Sequence, residues 1–196
     1  MLNLNNFGNS ELGPYGKNYF TVWLNGCQKK CKGCISAAMN ESQPPFVVSP
    51  LFLAQIFSQK NYDGIILSGG EPFLQCDELV NFLETAEILC EHHVNVICYT
   101  GNTLEQLNDE CEKKLLGYID LLIDGEYIAE LDTGNRYKGS DNQRMLFLSD
   151  VFSPDDFPPM QRSITVTFHN DNMLTMTGIP SASEAAVWKQ IKEIFL

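Results

Sequence analysis

The sequence is short of cations. Thirteen lysines and arginines face 25 aspartates and glutamates over 196 residues, a formal charge of −12. So acidic a chain repels nucleic-acid phosphates unless a local basic patch reverses the sign, and nucleic-acid binding is therefore not expected. No run approaches the ~18 apolar residues that a membrane span needs, so no membrane attachment is expected. A basic, apolar leader is missing as well. Residues 1–17 are polar and rich in Asn and Gly, which points to a cytoplasmic protein. No repeat of fixed period is visible, which sets aside solenoids and propellers. Disulfides are uncommon in the cytoplasm, so the seven cysteines need another explanation. What is present is a 44% apolar share, enough for one core and too much for a disordered chain.

Short apolar runs alternate with longer amphipathic ones. Tyr19–Leu24 reads as a first strand, aromatic and β-branched. Ser49 and Pro50 then suit the cap and first position of a helix with Phe52, Leu53, Ile56 and Phe57 at helical spacing. Ile65–Leu67 is a second strand, stopped by Ser68-Gly69-Gly70, and Asp77–Glu91 a second helix. Val94–Tyr99 is a third strand. Thr103 and Gln106 form a capping box for a third helix carrying Leu104, Leu107, Cys111 and Leu115. Ile119–Ile123 and Met145–Leu148 complete the strands.

This order implies βαβ units and a parallel sheet. A full eight-stranded barrel takes ~250 residues, so the expectation is α/β: an open, partial parallel β/α barrel of about five to six strands. Chemistry on such sheets sits at the carboxyl ends of the strands. Those ends read Asn25-Gly26-Cys27, Ser68-Gly69-Gly70-Glu71, Thr100-Gly101 and Asp124-Gly125. The core is expected over about 12–150, with a proline-rich linker over about 153–162. A C-terminal β-hairpin and helix over 164–196 would close one single domain. The hairpin turns at His169-Asn170-Asp171-Asn172. The helix starts from a Ser181–Glu184 capping box and places Val187, Ile191 and Ile194 on one face.

Cys27, Cys31 and Cys34 lie in Cys-Gln-Lys-Lys-Cys-Lys-Gly-Cys. A helix would bring their thiols to one face, but Gly26 and Gly33 each weaken it by ~1 kcal/mol. A structural zinc site wants a fourth ligand, and His92, His93 and His169 are distant in sequence. The third reading is an iron–sulfur cluster. An electron carrier takes four thiolates, whereas three leave one iron open to a substrate or cofactor. Cys76, Cys90, Cys98 and Cys111 are scattered and read as core residues.

The three-four cysteine spacing after a first strand resembles the radical S-adenosylmethionine superfamily. So does Ser68-Gly69-Gly70-Glu71-Pro72 at the end of the second strand. Asp120–Tyr127, the stretch Lys138-Gly139-Ser140-Asp141-Asn142-Gln143-Arg144, Gly13-Pro14 and Tyr99-Thr100-Gly101 narrow the resemblance to the anaerobic ribonucleotide reductase activating enzymes and related short single-cluster members. It covers roughly residues 12–150. It implies that Cys27, Cys31 and Cys34 ligate a 4Fe-4S cluster, and that Gly69, Gly70 and Glu71 hold the methionine end of S-adenosyl-L-methionine. Thr100 and Asp124 would lie near that cofactor, with Asn142 and Gln143 shaping the site or serving as turn residues. The implied reaction is reductive cleavage to a 5′-deoxyadenosyl radical, which abstracts hydrogen from a glycine of a glycyl radical enzyme. Flavodoxin or ferredoxin is the implied electron donor. The family's Gly-Pro-Gly reads Gly-Pro-Tyr-Gly here, and the tail from about Ser153 is extra.

Two rivals stand beside this reading. One keeps the chemistry and acts on a small metabolite, nucleotide or peptide. The other is a non-enzymatic iron–sulfur electron carrier, against which the glycine-rich turn argues. Lys29, Lys30 and Lys32 are a solvated loop, an offset to cluster charge, or a landing point for an acidic donor.

Overall fold

In the computed structural model, the apolar runs become neighbouring strands of one sheet. The structure describes residues 1–37 except 11 and 15, then 43–168 and 174–181, and in the closing segment 184, 186–188, 190 and 191. The strands are β1 (Leu2–Ser10), β2 (Tyr19–Leu24), β3 (Phe46–Val48), β4 (Gly64–Gly69), β5 (Val96–Thr100), β6 (Leu121–Asp124), β7 (Arg144–Phe147), β8 (Ile164–Phe168) and β9 (Leu174–Gly178). The helices are α1 (Pro50–Ser58), α2 (Cys76–Cys90) and α3 (Glu110–Leu116). The large sheet runs β3-β1-β2-β4-β5-β6-β7. Its middle, β2-β4-β5-β6, is parallel.

The α/β expectation holds, but the sheet has seven strands and its flanks are antiparallel. β1 runs against β2 and β3, and β7 against β6. A parallel return needs a crossover of a dozen or more residues, usually a helix. The link from β1 to β2 is shorter than that. The longer link from β6 to β7 carries only a 3-10 turn at Ala129–Leu131. Neither link carries the chain back across the sheet, so both flanking strands reverse.

α1 begins as its sequence dictates. Ser49 Oγ accepts the Phe52 N–H at 3.2 Å, Pro50 occupies the first turn, and Leu53, Ala54 and Phe57 are buried. α2 buries Leu79, Val80, Phe82, Leu83 and Ala86. The expected third helix is divided. The Thr103–Gln106 capping box is present but opens only the 3-10 turn Leu104–Gln106. The Asn108 side chain then bonds Glu105 O at 2.8 Å, and a second box, Asp109 with Glu112, opens α3. Asn and Asp side chains compete with the helical backbone in this way.

The helices cover one face of the sheet, over Val22, Leu24, Ile65, Leu67, Val96, Cys98 and Leu122. The other face carries Tyr19, Ile66, Ile97, Leu121 and Ile123, packed against Leu12, Tyr137, Phe152 and Phe157. Phe157 lies within the proline-rich stretch read as a linker, yet it is buried and stands edge-on to Tyr137 at 5.1 Å. β8 and β9 pair as an antiparallel hairpin. Its turn, at His169 to Asn172, lies outside the described residues. Arg162 fastens this hairpin by an ion pair with Asp132 and by bonds to the carbonyls of Ile179 and Pro180. The Ser181–Glu184 capping box forms. Val187, expected on an inner face, is exposed. Ile194 lies outside the described residues.

At the amino ends of the strands, His93 joins two carboxylates. Its Nδ1 is 2.8 Å from Glu87 Oε1 and its Nε2 is 3.1 Å from Asp120 Oδ2. Asp120 is buried and also accepts the Val96 N–H and the Ser149 hydroxyl. Burial pulls the His93 pKa down, but Asp120 and Glu87 outweigh it, and the net shift is upward from 6.5. A raised folded-state pKa stabilises the fold fully below the unfolded value and is lost as pH rises through the folded one. His93→Gln should therefore lower the melting temperature most below about pH 6.5, with the deficit shrinking as pH rises from there into the alkaline range. Thermal unfolding of both proteins across that range checks this. A deficit that grows with pH would contradict it.

Candidate functional site

Four loops meet at the carboxyl ends of the parallel strands. The register sets Leu24 beside Gly69 and Thr100 beside Asp124. Beyond the strands, the Gly70 N–H bonds Leu24 O and the Glu71 N–H bonds Gly26 O, each at 2.8 Å. Gly69 has φ +96°, and a Cβ there would lie 2.5 Å from Leu24 N. Only glycine permits that approach. Gly69 and Gly70 thus lie directly beside the start of the cysteine loop.

Glu71 is 4% exposed, and its carboxylate is turned into the protein. It accepts the Thr100 hydroxyl at 2.8 Å, the Gly101 N–H at 2.9 Å and the Phe73 N–H at 3.2 Å. Burial raises its pKa while these three donors pull it down. Thr100 is buried, its hydroxyl also accepting the Asn102 N–H at 3.0 Å. Asp124 is fully buried, ion-paired with Arg144 and accepting the Leu104 N–H at 2.7 Å. Arg144 reaches on to Glu105 at 2.9 Å. The structure brings Glu71, Thr100 and Asp124 to the ends of adjacent strands, and uses all three side chains to tie those ends together.

The cysteine loop leaves β2 and turns through left-handed backbone at Gly26, Lys30 and Gly33, so residues 27–34 form no helix. Cys27, Cys31 and Cys34 are half-buried free thiols. Main-chain N–H groups are aimed at two of the sulfurs, that of Lys29 at Cys27 and that of Tyr127 at Cys31. Burial raises both thiol pKa values, and these N–H groups act against it. Such donors favour the thiolate form.

The donor to Cys31 comes from the loop after β6, which sequence reasoning had not placed against the cysteines. A Cβ on Gly33 would lie 3.4 Å from Ala129 Cβ and 3.7 Å from the Tyr127 ring. Two ion pairs join the loops, Lys29 with Glu126 and Lys32 with Glu130, both at 3.4 Å. Asn142 and Gln143 do shape this region: their side-chain amides hold Glu126 O at 2.8 Å and Gly125 O at 2.9 Å. The only sequence signal for the contact was the opposite charge of the two loops. Among the described residues, no three His, Cys, Asp or Glu side chains converge as ligands of a single ion. Of the remaining cysteines, Cys98 is buried and Cys76 and Cys90 pack against the core, as read. Cys111 instead lies near the surface, 3.1 Å from Asp77 Oδ1.

A family model described as a 4Fe-4S single cluster domain matches residues 15–146. Three similar proteins are each named anaerobic ribonucleoside-triphosphate reductase-activating protein. That of Haemophilus influenzae is 30% identical over 131 residues, covering 63% of this chain and 83% of the relative. That of Vibrio cholerae is 28% identical over 135 residues, with the same coverage. That of Enterobacteria phage T4 is 27% identical over 129 residues, covering 63% of this chain and 80% of the relative.

The Glu71 bonds give a stability prediction. Glu71→Ala strands a hydroxyl and two N–H groups in a buried place, at about 1–3 kcal/mol for each unsatisfied group. A total loss of roughly 3 kcal/mol or more is expected in urea unfolding. Glu71→Gln keeps an acceptor and should lose about half of that. An Ala variant as stable as wild type would rule out the brace.

Proposed function

The chain belongs to the 4Fe-4S single cluster domain family, together with the anaerobic ribonucleoside-triphosphate reductase-activating proteins, and from that premise we propose that it is a radical S-adenosylmethionine enzyme that installs a glycyl radical on an anaerobic ribonucleotide reductase-like partner. Cys27, Cys31 and Cys34 would hold the cluster, and the main chain of Gly69 and Gly70 the methionine end of S-adenosylmethionine. When bound, these groups supply one-electron cleavage of a sulfonium and, with it, hydrogen-atom abstraction.

The observation that carries this reading is the two-glycine turn held directly against the start of the three-cysteine loop, with the Gly70 N–H on Leu24 O and the Glu71 N–H on Gly26 O. The donor set fits a cluster. In a cluster each thiolate takes its own iron, so the sulfurs need not converge as zinc ligands do. The chain's own residues have positional tasks. Gly69 and Gly70 keep side chains away from the cysteine loop. Glu71 and Thr100 fix the two strand ends that flank it, and Asp124 with Arg144 fixes the third. Glu71, read with these glycines as holding the methionine end, also braces the turn through its carboxylate.

The sheet is read as an open, partial barrel within one domain, with a lateral opening for a glycine-bearing loop. The extra tail favours the second reading, the same chemistry on a small metabolite, nucleotide or peptide, because the family match ends at residue 146. A glycine-rich turn has no use in a simple electron carrier. An acidic flavodoxin or ferredoxin would meet the loop at Lys30 and Lys32, whose side chains are exposed.

The test is anaerobic. The cluster is reconstituted, reduced with dithionite and given S-adenosylmethionine, and 5′-deoxyadenosine is quantified with and without an anaerobic ribonucleotide reductase. Product that disappears in Cys31→Ala, with a glycyl radical signal on the reductase, is expected. Product without that radical signal would move the substrate to a small molecule. A well-formed cluster giving no product would remove the radical chemistry.

A further inference from the structure

Three lysines interrupt the cysteines, and the structure separates them. Lys32 is 90% exposed beside Glu130, and Lys30 is exposed as well. Lys29 is only 20% exposed, with its ammonium 3.4 Å from Glu126 Oε1. Its stem lies along Gly101. A Cβ on that glycine would come 3.1 Å from Lys29 Cγ and 3.6 Å from Glu71 Oε2. Lys29 therefore runs from the cysteine loop across the end of β5 to the loop after β6. The buried Glu71 carboxylate flanks the same glycine.

A shielded cation costs desolvation and the freedom of a long side chain. Glu126 offsets that cost directly, and Glu71 and Cys27 lie within electrostatic reach. The Lys32–Glu130 pair is of the exposed kind worth little, whereas a partly shielded pair is screened less by salt.

We propose that Lys29 is a positioning residue that latches the cysteine loop to the ends of β5 and β6, and that its shielded charge raises the reduction potential of the cluster held there. The proposal rests on the cluster assignment made above. Reduction adds negative charge, so a fixed cation nearby favours the reduced state. Cluster potentials respond to local charge and solvent exposure. Lys30 and Lys32 act through water, where the same charge counts for much less.

Wild type, Lys29→Met, Lys29→Arg, Lys30→Met and Glu126→Gln are reconstituted anaerobically. Iron and sulfide content, iron release to a chelator, and the midpoint potential from an EPR-monitored redox titration are compared. Lys29→Met should shift the potential to more negative values and release iron several-fold faster. Lys29→Arg and Lys30→Met should match wild type. Glu126→Gln should release iron faster with no negative shift, since it opens the latch and keeps the cation. A wild-type potential in Lys29→Met, or an equal shift in Lys30→Met, overturns the proposal alone. If Lys29→Met takes up no cluster, undiminished iron retention in Glu126→Gln overturns the latch. A wild-type chain that binds no iron overturns the cluster assignment and this proposal with it.

Discussion

The buried carboxylate of Glu71 is the constraint on which the rest of the site depends. It stands at the end of β4 and accepts a hydroxyl and an N–H from the end of β5. Its own N–H bonds Gly26 O, one residue before Cys27. One residue thus joins the exits of β2, β4 and β5. Burying a carboxylate is unfavourable unless hydrogen bonds or a counter-charge offset the loss of water. Glu71 has three donors, and Asp124, two strands further along, has a main-chain N–H and the Arg144 guanidinium. Both anions bond atoms of the neighbouring strand's exit, so the loops cannot splay without stranding a charge. The cysteine loop inherits a fixed starting point from this arrangement.

That loop has little internal support. Inside it runs the bond from the Cys34 N–H to Cys31 O at 3.2 Å. The loop after β6 supplies further support: an N–H to Cys31, the Ala129 and Tyr127 contacts with Gly33, and two glutamates opposite two lysines. In a chain of net charge −12, lysines placed against glutamates also set register, because a slip would bring like charges together. Asn142 and Gln143 then hold the second loop by its main chain. The site is therefore assembled from β2, β4, β5 and β6, with no single segment carrying it.

Much of this was legible in the sequence. Continuous apolar runs marked β2, β4, β5 and β6, and the Ser49-Pro50 cap marked α1, because each signal is local. β1 was missed: in Leu2–Ser10 asparagines fill positions between buried leucines, and Asn is a poor strand former. Its stability comes from pairing on both sides, which is a tertiary property. Thr103–Gln106 showed where a cap lies but not how far the helix runs, which Asn108 decided. The site followed the same rule. Spacing found Cys27, Cys31 and Cys34, and the turn found Gly69 to Glu71. The direction of the Glu71 carboxylate depends on Thr100 and Gly101, some thirty residues away in sequence, and Tyr127 as a donor to Cys31 depends on a separate loop. Local motifs locate a turn, whereas side-chain direction follows from distant partners.

The tail follows from the handedness of the fold. Crossovers between parallel strands are right-handed, so strands laid down in one direction, β2 to β6, place every helix on one face. A parallel sheet needs both faces covered. A closed barrel covers its inner face with itself, but four parallel strands with antiparallel flanks leave that face bare. Tyr19, Ile66, Ile97, Leu121 and Ile123 would then meet water, at ~25 cal/mol for each Å² of apolar surface left exposed. Leu12 and Tyr137 cover part of this face, and Phe152 and Phe157 cover more. The last two lie beyond residue 146, where the family match ends. Trp23 and Tyr99, nearer the carboxyl ends on that face, are only half-buried. Among the described residues, the extension therefore covers the inner face through Phe152 and Phe157, with Ile179 packed beside them. Phe152 and Phe157 thus complete a core that one-sided crossovers leave unfinished.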